Sequence, residues 1–165
     1  MTLNPNFSAF QKQLATPFAF RMFLFSKLPA AFFAGLQLMK LAPHEAAIGV
    51  RYKWFNKNPF GSLYFAVLAM AAEASTGILC MSALYKRKPS VSMLIVKIEG
   101  NFFKKAVGKI VFTCSNGLEV QQAVEDAITS TESTSVVCET VGKNEAGESV
   151  ARFFCTWSFK SRSGA

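Results

Sequence analysis

The sequence predicts an α+β domain in which one curved antiparallel sheet wraps a single long apolar helix. Three observations carry that prediction. Between Lys57 and Lys86 the only charged residue is Glu73, so a helix there has no polar face and must be covered by protein on nearly all sides. Alternating or β-branched runs lie on both sides of it, at 46–55 before and at 92–99, 106–115, 136–141 and 149–160 after. These runs follow one another without the regular crossover helices that parallel strands require, which favours antiparallel pairing.

The elements follow in order. Residues 1–42 read as short helices separated by prolines: Thr16-Pro17 looks like an N-cap followed by proline at the first helical position, and Pro29 and Pro43 mark breaks. Phe18, Phe20, Phe23, Phe25, Phe32 and Phe33 give these helices apolar faces. Such rings pack on the domain, line an acyl pocket or touch a membrane surface, and packing is the commonest use. In 46–55, Ile48, Val50, Tyr52 and Trp54 fall on one face and Arg51 and Lys53 on the other, the pattern of a half-buried strand. Asn58-Pro59-Phe60-Gly61 reads as a turn, and the apolar helix is expected from about residue 62 to 77 and on towards 84. Two strands are expected at 92–99 and 106–115. Asn116-Gly117-Leu118-Glu119 resembles a capping-box start for a second, amphipathic helix with Val120, Val124, Ala127 and Ile128 on one face. A closing hairpin turns at 144–147 and sets Ala151, Phe153, Cys155, Trp157 and Phe159 on one face. The reading is an N-terminal helical extension (1–45), one domain (46–160) and a disordered tail (161–165), with 1–7 and 161–165 frayed.

Composition narrows the function. The chain's 165 residues and 51% hydrophobic content suit one folded domain with a sizeable core. A net charge of +8 implies an anionic partner without naming it. No basic run or aromatic-interleaved motif points to nucleic acid, so that partner class is not expected. Cys80, Cys114, Cys138 and Cys155 are widely spaced, lack any Cys-x-x-Cys pair and share the chain with one histidine, so they read as buried hydrophobes in a reducing compartment, and no metal is expected. Pro17, Arg21, Lys27 and Pro29 interrupt the first apolar stretch, which does not suit a secretory signal, and a cytoplasmic location is the default. A membrane span over 62–84 would hold a carboxylate near its midpoint, so a buried soluble helix is preferred. No Gly-x-Ser-x-Gly elbow, phosphate loop or dinucleotide fingerprint is present.

The residue that stands out is Glu73. An isolated carboxylate in an apolar helix is costly unless protonated or partnered, and such surroundings tune carboxylates for acid–base or nucleophilic work; a structural role in the core or at an interface is the alternative. Asn58 could orient substrate or water, though Asn before Pro is also a common turn former. Tyr64 offers a hydroxyl at the helix start or a simple aromatic anchor. His44 reads as an edge histidine.

The segment from Asn58-Pro59-Phe60-Gly61 through Tyr64-Phe65-Ala66 to Glu73, in this order of elements, resembles the hotdog-fold thioesterase superfamily over roughly 46–160, and within it the PaaI-like, DUF4442-type branch. In better-known members the central helix starts with His-Gly-Gly and carries an Asp or Glu nine residues after the His. In this chain Tyr64, Phe65, Ala66 and Glu73 stand at those positions, so only the acid is kept. The resemblance implies hydrolysis of an acyl-CoA-like thioester, with Glu73 as base or nucleophile, Asn58 and Tyr64 as further catalytic candidates, and the amides of Phe65 and Ala66 as oxyanion donors. A non-catalytic acyl-CoA or fatty-acyl binder is the alternative that the departures suggest, and a peripheral membrane contact through 18–33 is a third.

Nine residues of helix span about 13.5 Å. Glu73 and the two amides therefore cannot meet at one carbonyl within a chain, and a site built across a homodimer or homotetramer is expected, as in hotdog relatives. Coenzyme A is then the ligand expected to draw on the basic excess, gripped through its phosphates by Lys86, Arg87, Lys88, Lys104 and Lys105, with Gly61 and Lys57 at the turn; a solvated basic face is the plainer reading of any one of them. No separate cofactor is implied.

Overall fold

In the computed structural model, which describes residues 3–130 and 132–162, the apolar run forms one continuous helix, α4 (Phe65–Leu84). Helices α1 (Phe7–Gln13), α2 (Pro17–Lys27) and α3 (Pro29–Ala34) precede it, followed by strands β1 (Gln37–Leu41) and β2 (Ala46–Arg51). After α4 come β3 (Val91–Phe102), β4 (Lys109–Cys114), α5 (Gly117–Ser130), β5 (Thr134–Lys143) and β6 (Ser149–Ser161). The six strands form one antiparallel sheet in the order β1-β2-β4-β5-β6-β3, so β1 and β3 are its edges. The sheet wraps α4, the architecture of a hotdog fold.

Small side chains let the sheet come close. Ala71, Ala72, Ser75, Thr76, Leu79, Cys80 and Ala83 of α4 are buried against Ile48, Val50, Phe112, Phe153, Cys155, Trp157 and Phe159. The alternation read in the last strand holds, with Ala151, Phe153, Cys155, Trp157 and Phe159 all inside. The hydroxyls inside α4 do not go unpaired: Ser75 donates to the Ala72 carbonyl (2.7 Å), Ser82 to that of Leu79 (2.7 Å) and Thr76 to that of Glu73 (2.9 Å). Thr76 Oγ1 also accepts from the Trp157 indole N–H at 2.9 Å, which fixes the ring against the helix.

Several expectations need correction. The strand read over 46–55 stops at Arg51, because the buried Asn56 side chain donates to the carbonyls of Arg51 (3.0 Å) and Ala34 (2.8 Å) and holds the chain in a 3-10 turn, Trp54–Asn56. Trp54 is consequently 80% exposed instead of facing the core. Residues 37–41 form a strand inside the stretch read as helical: Gly35 ends α3 in the left-handed region (φ 77°), and β1 then pairs with β2. The main helix starts at Phe65, not at 62, since Leu63 is held extended by a β-bridge to Lys57 and by donating to the Ala106 carbonyl at 2.8 Å. The first two strands after α4 do not pair with each other: β3 pairs with β6, and β4 lies between β2 and β5.

The ends are firmer than expected where they are described. Asn4 is 2% exposed and donates through Nδ2 to the carbonyls of Ser82 (2.8 Å), Ala83 (3.1 Å) and Tyr85 (2.9 Å), supplying acceptors at the α4 C-terminus with the donor they need. Ser161 belongs to β6, and Arg162 donates its amide to the Ser90 carbonyl at 2.8 Å. The fraying expected at 1–2 and 163–165 lies outside the described residues.

Candidate active site

Glu73 sits midway along α4 and is half-buried. Its carboxylate faces a cavity of about 130 Å³ whose other walls are apolar, with Phe20, Phe23 and Leu24 of α2 and Leu28 just past its end above, and Ile48, Ile78, Met81 and Met93 around it. Among the described residues no hydrogen bond or ion pair reaches the carboxylate. Burial alone therefore acts on it and holds its pKa above the ordinary value. The burial and the Glu73 charge together push the neighbouring Cys155 thiol up to about 11.

The carboxylate finds room because Gly77, one turn on, has no side chain. A methyl group there would stand 3.0 Å from Glu73 Oε1 and 3.4 Å from Trp157 Cζ2. The spacing of Glu73 and Gly77 is visible in the sequence, whereas the roof over the carboxylate depends on how α2 docks.

A second, larger hollow of about 760 Å³ opens at the N-terminus of α4, between the 57–65 segment and 102–106. Asn58, Tyr64, Phe65, Lys104, Lys105 and Lys57 all line it, so the structure gathers these six candidates there and leaves Glu73, Lys86, Arg87 and Lys88 elsewhere. Phe60, Phe102 and Phe103, which the sequence reading did not single out, add aromatic walls. Asn58 organises the turn: its Oδ1 accepts from the amides of Phe60 (3.0 Å) and Ser62 (3.2 Å), and its Nδ2 donates to Ser62 Oγ (3.0 Å). Gly61 is required for its positive φ of 70° and not for space, since a methyl group there would meet nothing within 4 Å.

Tyr64 precedes the helix with extended backbone (φ −64°, ψ 134°), and its carbonyl accepts from Val67 (2.9 Å) and Leu68 (3.2 Å). Among the described residues no protein acceptor takes the amides of Phe65 or Ala66, and no side chain caps the helix. Two uncommitted N–H groups at the positive end of a long helix suit a developing negative charge.

The basic candidates separate into two groups. Lys105 donates to the Phe60 carbonyl at 2.8 Å and Lys104 pairs with Glu148 at 2.5 Å, both at the rim of the larger hollow. Lys86, Arg87 and Lys88 lie past the other end of α4, about 30 Å of helix away. Arg87 is committed to Glu125 and to the Ala83 carbonyl. One chain cannot bring both groups to a single ligand.

The family model described as a domain of unknown function (DUF4442) matches residues 17–159. No curated protein matches the chain significantly by sequence. Among solved structures, a Pseudomonas aeruginosa protein of unknown function described as a probable thioesterase superposes with a TM-score of 0.75 at 20% identity, covering 89% of this chain and 97% of its own. A Chlorobaculum tepidum protein of unknown function gives 0.74 at 13% identity, with 90% and 99% covered. A thioesterase from Haemophilus influenzae gives 0.63 at 13% identity, with 90% and 93% covered. At these identities the likeness is one of fold.

Proposed function

The chain belongs to the DUF4442 family, and from that premise we propose that it hydrolyses acyl thioesters at a site shared by two subunits. The observation that carries this reading is the lone Glu73 carboxylate in an otherwise apolar cavity. In the reaction, ionised Glu73 takes a proton from water as the water oxygen attacks the thioester carbonyl. The carbonyl oxygen becomes an oxyanion held by the amides of Phe65 and Ala66 from the other subunit. The C–S bond then breaks, the thiolate takes the proton from Glu73, and a carboxylic acid and a free thiol leave. Attack by Glu73 itself, through an anhydride that water then opens, uses the same groups.

The edge strand β3 supports a dimer. Leu94, Val96, Ile98 and Phe102 are exposed along it, and a long apolar edge in a monomer invites strand addition. Self-pairing in the antiparallel sense would lay the end of one β3 beside the start of the other. Met93, near the start, lines the Glu73 cavity, and Phe102, at the end, lines the hollow at the α4 N-terminus. Such pairing brings each Glu73 towards the partner's helix amides, which the roughly 10–12 Å of rise between them along one helix forbids within a chain. Coenzyme A phosphates would lie at Lys104, Lys105 and Lys57, and the aromatic walls would receive the pantetheine arm.

A second reading, an acyl-CoA or fatty-acyl binder without turnover, draws on one observation: the exposed Phe65 side chain stands beside the amides the substrate must reach. The test is thioester hydrolysis over short, long and aromatic acyl-CoAs by the wild type and by Glu73→Gln. Turnover that falls at least about 100-fold in the variant supports the hydrolase. Acyl-CoA binding without turnover in either protein moves the assignment to the binder.

A further inference from the structure

The helix that roofs the Glu73 cavity has two apolar faces. Phe20, Phe23 and Leu24 of α2 point inward, while Phe18, Met22 and Phe25, spaced i, i+4 and i+7, point out and are exposed, Phe18 by 73%. The outer face continues across α3 to the 3-10 turn. The Phe25 ring meets Phe32 at 5.1 Å between centroids, Phe32 meets Phe33 at 5.3 Å and Phe33 meets Phe55 at 6.5 Å, with the exposed Trp54 next to Phe55. A contiguous exposed aromatic surface of this kind marks an interaction site.

Its charge indicates what it meets. Residues 1–44 contain no Asp or Glu, and between 1 and 72 the only acid is Glu45, which is paired with Lys40 at 2.7 Å. Cations stand within the aromatic surface itself: Arg21 lies over the Phe32 ring at 4.2 Å, Lys53 lies 5.9 Å from the Phe55 ring centroid, and Lys27 ends α2. A partner that offers apolar depth and negative charge together, over a broad face, is an anionic lipid bilayer, and Trp and Phe flanked by Arg and Lys are suited to its interface. The surface adjoins β1, on which α2 packs, and β1 and β3 are the two ends of the strand order.

We propose that the outer face of α2 together with Phe33, Trp54 and Phe55 docks on anionic membrane surfaces. If the hydrolase reading above is right, the same helix then has lipid on one face and the Glu73 cavity on the other, and the substrate is an acyl thioester whose chain partitions into membranes. The docking stands without that reading.

The chain supplies its own reporter, because of its two tryptophans Trp54 is exposed and Trp157 is buried. Full-length protein is mixed with phosphatidylcholine vesicles with and without phosphatidylglycerol, and flotation and tryptophan emission are read. The expected result is co-flotation and a blue shift with the anionic vesicles only, both weakening as salt rises. Phe18→Ser with Phe25→Ser, and separately Arg21→Gln with Lys27→Gln, should each weaken binding about tenfold or more, and Trp54→Phe should remove the spectral shift while flotation persists. Glu73→Gln should float like the wild type, which separates this proposal from the fate of the hydrolase. Absence of flotation and shift overturns it. So does concentration-dependent self-association without vesicle binding that the Phe18→Ser, Phe25→Ser variant abolishes, since the surface would then be an interface between copies.

Discussion

The Glu73 carboxylate lies over Gly77, so close that a methyl group on Gly77 would stand 3.0 Å from Oε1. The glycine is therefore part of the carboxylate's position. Gly77→Ala has two opposed effects: alanine favours a helix over glycine by about 1 kcal/mol, while Glu73, a flexible side chain, must shift by a few tenths of an ångström to clear the new methyl group. The expected outcome is a protein of equal or slightly greater stability in urea whose thioester turnover falls about tenfold, the effect of some 1.4 kcal/mol at the transition state. A variant with full turnover would show that the carboxylate's present position is not the working one.

The acid dependence of stability has a definite sign. Burial raises the Glu73 pKa in the folded protein above its ordinary 4.5, so the folded state holds this proton more tightly than the unfolded one. Stability from this group is complete below pH 4.5 and declines as the pH rises through the folded-state value. Against Glu73→Gln, the wild type should therefore lose relative Tm as the pH rises from below 4.5 through the raised folded-state value. Turnover that requires ionised Glu73 should rise over the same window, with its acid limb above the position of an ordinary glutamate. A limb at or below the ordinary value would remove Glu73 as the base.

Phe65 permits a clean test of a backbone amide. It is the first residue of α4, and Tyr64 before it already has the extended backbone that precedes proline without strain. Phe65→Pro therefore removes one N–H and spares the helix, while Phe65→Ala removes the ring and keeps the N–H. Loss of an oxyanion donor predicts a kcat decrease of about 100-fold for the proline variant only. Equal effects from the two would point to the ring instead.

Asn4 ties the N-terminal segment to the far end of α4 through three carbonyls. Asn4→Ala leaves those acceptors without their donor in a buried position, at a cost of about 1–3 kcal/mol. Urea unfolding should show a lower midpoint with an unchanged slope.

How far the sequence foretold these features follows from what each depends on. The central helix, the amphipathic α5 and the inward face of β6 were readable because period and burial coincide in one segment. Val120, Val124 and Ala127 are buried as the pattern required. Trp54 was misplaced because the alternation through 46–55 continues past the point where Asn56, a single buried side chain, turns the backbone. Strand β1 was hidden because Gln37, Met39 and Lys40 are exposed on an edge and give no alternation. Glu73 stood out as the one charge in an apolar run, but the α2 roof above it and the pairing of β3 with β6 are long-range choices that leave no local signal. The basic clusters at 86–88 and 104–105 look alike as sequence, and only the length of α4 separates them.

The most direct test of a site shared by two subunits is complementation. Glu73→Gln and Phe65→Pro chains, each inactive as a homodimer, are co-expressed with different tags and the mixed dimers are isolated. Each mixed dimer has one site with both groups intact, so it should hydrolyse the thioester at roughly half the wild-type rate per dimer. Mixed dimers as inactive as their parents would contradict the account, because Glu73 and the amide of Phe65 would then have to act, if at all, from the same chain.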